Sequence, residues 1–145
     1  MSIPETLLEV REYTGIGYQP FIDYGAWRVA ILRYSDKLLP QNLDKMQRHD
    51  ETDEVFVLLS GRCILFIGEG DERVSAVYAQ DMEPLKLYNV KKSCWHTHTL
   101  SQDTTVLIVE NRETTSMNSP EIVLDEGQRK KLIELTNQLW KRKQN

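Results

Sequence analysis

The sequence predicts a mainly β protein, a barrel or sandwich of short strands with one α-helix near its C-terminal end. Two observations carry this. From Leu7 to about Asn111 the chain is mostly short β-branched and aromatic runs broken by turn residues, the spacing of an all-β domain. After Ser119-Pro120 the apolar period lengthens from two residues to that of a helix.

The elements follow in order. Trp27 to Tyr34 and Glu54 to Leu59 read as strands, and Gly61 separates the second from Arg62 to Ile67. Gly68-Glu69-Gly70-Asp71 reads as a hairpin-type turn before a strand at Val74 to Tyr78. Further strands are expected at Leu85 to Val90, Cys94 to Leu100 and Thr104 to Glu110. Asp125 is placed as the N-cap of a helix from about Glu126 to Arg142. Its apolar stripe combines Leu132, Leu135 and Leu139 with Ile133, Thr136 and Trp140. The basic run Lys141-Arg142-Lys143 closes it, where cations suit the helix dipole. One domain over 1–145 is expected, with the barrel over about 20–111 and the helix over about 126–142.

In the strand from Glu54, alternation puts Glu54, Phe56 and Leu58 on one face and Val55, Val57 and Leu59 on the other. A sheet apolar on both faces needs a second covering layer. Either the chain's own N-terminal segment and C-terminal helix supply it, or a second copy does; a homodimer is the working expectation.

Composition narrows the partners. With 40% hydrophobic and 28% charged residues the chain is ordinary for a globular protein. A net charge of −4 with scattered Lys and Arg offers no basic stripe, so no nucleic-acid partner is expected. The apolar runs are strand-sized, and the N-terminus lacks the basic-then-apolar pattern of a signal peptide; neither a membrane span nor secretion is expected. A cytoplasmic location follows as an expectation, with Cys63 and Cys94 as free thiols.

The chemistry concentrates in three histidines. His49 precedes the strand that Glu54 begins, so an imidazole and a carboxylate can converge at a barrel mouth. Both are ordinary ligands of Zn²⁺, Fe²⁺, Mn²⁺ or Ni²⁺. His96 and His98 share one face of an extended strand with Cys94, while Trp95 and Thr97 point the other way. Two readings are open for the pair: both chelate one ion, or His96 ligates and His98 lines the cavity as a base or hydrogen-bonding group. Glu54 has an alternative as well, as a carboxylate paired with Arg28, Arg48 or Arg62. Tyr34 and Tyr88 are candidates to enter the pocket.

The stretch His49 to Gly61 resembles the first motif of the cupin superfamily, HxH followed by three or four residues, Glu, six residues and Gly. His49 falls on the second His, Glu54 on the Glu and Gly61 on the Gly. Lys91 to His96 is similar to the second motif, PxGxxH, with His96 on its metal-binding His. Two departures stand out. Gln47 occupies the place of the first His, and Lys91 and Ser93 replace the Pro and Gly of the second motif.

The resemblance, spanning about Trp27 to Asn111, implies a cupin-type double-stranded β-helix. It implies a divalent metal (Fe, Mn, Ni or Zn) held by His49, Glu54 and His96, with Gln47 as a candidate fourth ligand and His98 as candidate acid/base. A metal-binding protein acting on a small molecule in the barrel is expected, with isomerase, lyase, hydrolase and dioxygenase chemistry all open. The alternative is a non-catalytic small-molecule-binding or sensing cupin whose metal site is weakened or lost, which Gln47 favours.

Overall fold

The computed structural model describes residues 1–142; Lys143, the last member of the basic run, lies outside them. The ten strands are β1 Gly17–Tyr24, β2 Trp27–Arg33, β3 Lys45–Gln47, β4 Glu54–Ser60, β5 Cys63–Glu69, β6 Ala76–Asp81, β7 Tyr88–Val90, β8 Trp95–Leu100, β9 Thr105–Asn111 and β10 Glu121–Val123. Helix α1 spans Glu126–Arg142. Two five-stranded sheets form, in the orders β1-β2-β9-β4-β7 and β10-β3-β8-β5-β6, and every strand pair is antiparallel. This is a mainly β, cupin-type double-stranded β-helix with a C-terminal helix.

Alternation decides what lies between the sheets. Ala30 and Leu32 of β2, Phe56 and Leu58 of β4, and Val106 and Ile108 of β9 point inward from the first sheet. Cys63 and Leu65 of β5 and Leu100 of β8 meet them from the second. The outer face of the second sheet carries a separate cluster, where Ile64, Phe66 and Trp95 pack on Leu124 and on Leu132 of α1. Full burial of a side chain such as Leu132 stabilises by about 2 kcal/mol. The helix starts on a reciprocal cap: Asp125 Oδ1 accepts the Gln128 N–H at 2.7 Å, and Gln128 Oε1 accepts the Asp125 N–H at 2.9 Å.

Neither the helix nor the N-terminal segment covers the first sheet. Its outward residues Val29, Ile31, Val55, Leu107 and Val109 are half-buried, and Leu59 is exposed. Of residues 1–16 only Tyr13 is better than exposed, and Ile3, Leu7, Leu8 and Val10 all face solvent.

Several strand limits differ from expectation for local reasons. Gly68 belongs to β5 and not to the turn; a Cβ there would come within 3.0 Å of Met46 Sδ and of Trp95 Cβ, so glycine permits the strands to close. Gly70 makes the turn instead, at φ +119, which moves β6 later than Val74. Leu85 takes φ +66 and breaks extension there, so only Tyr88–Val90 pairs. Gly61 matches its motif for two reasons, a φ of +74 and a would-be Cβ 2.5 Å from Thr104 Cα. Both cysteines are free. No helix among the described residues is long and apolar enough to cross a membrane.

Candidate metal centre in the barrel

The loop before β4 and the turn before β8 are fastened together, and this brings His49 and His96 to one point. Ser93 adopts φ +62, the backbone form that a glycine would take at that motif position. Its N–H donates to the His49 carbonyl at 2.8 Å and its hydroxyl to Asp50 Oδ1 at 2.8 Å. Asp53 accepts the Lys92 N–H at 2.8 Å and the Asn89 amide at 3.0 Å, which hold its carboxyl below the usual carboxylate range. The turn therefore keeps the motif's shape without its glycine, at the cost of a strained serine that the Asp50 bond offsets.

His49, Glu54 and His96 are 6%, 4% and 1% exposed. One carboxylate oxygen, Oε2 of Glu54, lies 3.0 Å from His49 Nε2 and 2.9 Å from His96 Nε2. The three ligand atoms all fall within 4.8 Å of one another. Burial alone would raise the Glu54 pKa, but the two imidazoles beside it outweigh that and hold the carboxyl far below its ordinary value. Burial would likewise lower His49, yet Glu54 wins and raises it.

The far nitrogens show how each ring is oriented. His96 Nδ1 sits 2.9 Å from the Cys94 carbonyl, which can only accept, so Nδ1 carries the hydrogen. A neutral His96 then points a bare Nε2 lone pair at a carboxylate oxygen. Those two atoms repel unless a proton or a metal ion lies at Nε2. His49 Nδ1 lies 2.7 Å from the Ser119 hydroxyl, which is itself 3.2 Å from Asn118 Oδ1. Nδ1 donating to Ser119, and Ser119 to Asn118, leaves Nε2 of His49 free in the same way. Two outward-locked imidazoles and a carboxylate are a donor set that fits a divalent ion.

The site opens into a cavity of about 820 Å³. Gln47 and His98 line it, and Gln47 lies directly opposite His96 in the β3–β8 pair. His98 stands outside the three-ligand cluster, with its ring 6.0 Å from that of Phe56 and a buried Nδ1 that has no hydrogen-bond partner. Burial, with His96 nearby, pushes its pKa down to about 4, so near neutral pH it is an uncharged imidazole.

None of the three arginines weighed for Glu54 reaches it. Arg28 binds Glu110, Arg48 binds Asp50 and Asp71, and Arg62 lies over Trp140 and 3.9 Å from Asp81. Nor do Tyr34 and Tyr88 enter: their hydroxyls bond Asp36 Oδ1 and the Glu83 N–H. The tyrosine in the wall is Tyr18, which with Arg28, Glu110 and Ser119 was not anticipated. Glu110 was signalled, since Val106, Ile108 and Glu110 alternate onto one face just as Glu54, Phe56 and Leu58 do.

The two antiparallel sheets enclose a buried His-Glu-His cluster, and the fold is that of the cupin barrels. The chain is similar to Pac13 from Streptomyces, described as a nucleoside dehydratase, at 8% identity and TM-score 0.50, over 79% of this chain and 92% of that one. It is similar to CapF, solved with the inhibitor 3-isopropenyl-tropolone, at 12% identity and TM-score 0.54, over 75% of this chain and 33% of CapF. A cupin-2 domain protein from Shewanella frigidimarina aligns at 14% identity and TM-score 0.47, over 74% of this chain and 90% of that one. No family model matches the chain, and no curated protein does.

Proposed function

We propose that this cupin binds a divalent metal through His49, Glu54 and His96 and acts on a small molecule in the barrel cavity. The observation that carries it is the His96 ring: with Nδ1 committed to the Cys94 carbonyl, its Nε2 shares one carboxylate oxygen with Nε2 of His49. When bound, the metal supplies Lewis acidity toward substrate oxygen atoms. The chain's own groups do the rest. Leu32, Leu38 and Ile108 exclude water along one side of the cavity, and the Gln47 amide and the unpartnered Nδ1 of His98 offer hydrogen bonds. Two proteins of the same fold support a small-molecule ligand, Pac13 having been solved with uridine and CapF with an inhibitor.

Elemental analysis of protein purified without a histidine tag tests the reading. About one ion per chain is expected, as isolated or after incubation with Mn²⁺, Fe²⁺, Ni²⁺ or Zn²⁺. Protein that takes up none of the four overturns it.

His98 is assigned as the acid/base group, present near neutral pH in its proton-accepting form. His98→Ala is expected to keep the metal, because its ring is not part of the three-ligand cluster. Metal lost from that variant would make His98 a ligand instead.

We also propose a homodimer, formed on the outward face of the first sheet. Val29, Ile31, Val55, Leu107 and Val109 make that face apolar and only half-buried, and among the described residues neither the helix nor the N-terminal segment covers it. Light scattering at micromolar concentration should return twice the 16.9 kDa chain mass. A monomer mass removes the proposal.

A further inference from the structure

One buried carboxylate oxygen in the wall of the site is left without a hydrogen-bond donor. Glu110, on β9, is 5% exposed. Its Oε1 accepts the Tyr18 hydroxyl at 2.5 Å and Nε and Nη2 of Arg28 at 3.2 and 2.9 Å. Its Oε2 has no hydrogen-bond donor and lies 3.8 Å from His49 Nε2, the atom through which His49 would hold an ion. A buried carboxylate oxygen left unsatisfied is destabilising, because it has lost water and gained no donor. Three donors on one oxygen hold the carboxylate so that the bare oxygen faces the His49 ring.

Charge points the same way. Glu54 and Glu110 bring two negative charges into the wall, and Arg28 is the one guanidinium that bonds either of them among the described residues. That sets two carboxylates against one guanidinium, an imbalance that a bound cation offsets. Gln47 has the right position opposite His96, but its neutral amide is a poorer donor to a hard ion and adds nothing to that balance.

We propose that Glu110, and not Gln47, completes the protein's ligand set, giving two imidazoles and two carboxylates, with Tyr18 and Arg28 as the groups that aim it. This rests on the metal reading above. Two ligands on one ion, each at about 2.1 Å, can stand up to about 4.2 Å apart, and the Glu110–His49 separation falls inside that span. Glu110 is not part of the compact trio, so ligation draws its carboxylate inward. A doubly anionic oxygen-rich set favours Mn²⁺ or Fe²⁺ over softer ions.

The test is Mn²⁺ titration of the metal-free full chain, followed by electron paramagnetic resonance, for wild type, Glu110→Gln and Gln47→Ala. Glu110→Gln is expected to weaken Mn²⁺ binding by about tenfold or more, and Gln47→Ala by less than about twofold. Wild-type affinity in Glu110→Gln, or an equal loss in Gln47→Ala, overturns this assignment while leaving the metal reading intact. A wild type that takes up no Mn²⁺, Fe²⁺, Ni²⁺ or Zn²⁺ overturns both. Should Glu110→Gln fail to fold, Glu110→Asp keeps the charge and withdraws the oxygen by one methylene. It is expected to change the zero-field pattern of bound Mn²⁺, whereas a merely structural role would lower only the melting temperature of the metal-free protein. An unchanged pattern and affinity in Glu110→Asp overturns the proposal.

Discussion

Alanine at His96 is expected to leave a folded barrel that no longer retains a divalent ion, and alanine at His49 to do the same. Each change removes one of three donors that converge within 4.8 Å, and the cluster has no spare histidine to replace it. Even losing a group that only orients a ligand costs about 10–100-fold in affinity, so loss of a ligand itself should exceed about 100-fold. Circular dichroism establishes folding, and elemental analysis after dialysis against a weak chelator reads the loss. Wild-type metal content in either variant would contradict the ligand assignment. The apo proteins should also differ. His96→Ala leaves the Cys94 carbonyl without its imidazole donor, whereas His49→Ala leaves a serine that still has Asn118 as an acceptor.

Phe56→Ala should produce the largest loss of stability, about 3–5 kcal/mol. The ring is 1% exposed in the cluster between the sheets, so its removal leaves a cavity in the core. That figure is a large share of the roughly 5–15 kcal/mol that separates a folded domain from its unfolded chain. Phe56 also lies edge-on to His96, at 6.1 Å, and 6.0 Å from His98, so the cavity it leaves adjoins both rings. Chemical denaturation should therefore show a lower midpoint, and the same variant should bind metal more weakly through loosened rings. An unfolding free energy within about 1 kcal/mol of wild type would mean that Phe56 is not a principal support of the core.

Much of the architecture was legible because short β-branched and aromatic runs bounded by turn residues are a strong strand signal. Glu54 to Leu59, Trp27 to Tyr34 and Thr104 to Glu110 all carry it, and they became β4, β2 and β9. The helix was legible from the change of period together with Asp125, whose side chain does cap it. The short strands β3 and β10 were not legible, since three residues are too few to show alternation and each is fixed by its partner. At the site, His49, Glu54 and His96 stood in motifs with fixed spacing. Arg28, Glu110 and Tyr18 belong to three separate strands, and only the registers Arg28↔Glu110 and Tyr18↔Leu32 bring them together. A reading based on residue types near histidines could not assemble them. One that asked which charged residues fall on the core side of a strand would have found Arg28 and Glu110.

Ser119 has a wider consequence. It touches the His49 ring, yet it belongs to the segment that leads through β10 and Leu124 into α1, not to the barrel strands. The backbone on either side of His49 is tied to that segment too, Arg48 N–H to Pro120 and Asp50 N–H to Asn118. The barrel thus supplies the donors, while the tail sets the orientation of one of them. A polypeptide cut before Asn118 would still contain His49, Glu54 and His96 but would present the first in an unset rotamer. The span that sets the His49 ring is therefore longer than the motifs around it, and it reaches through Ser119 to β10.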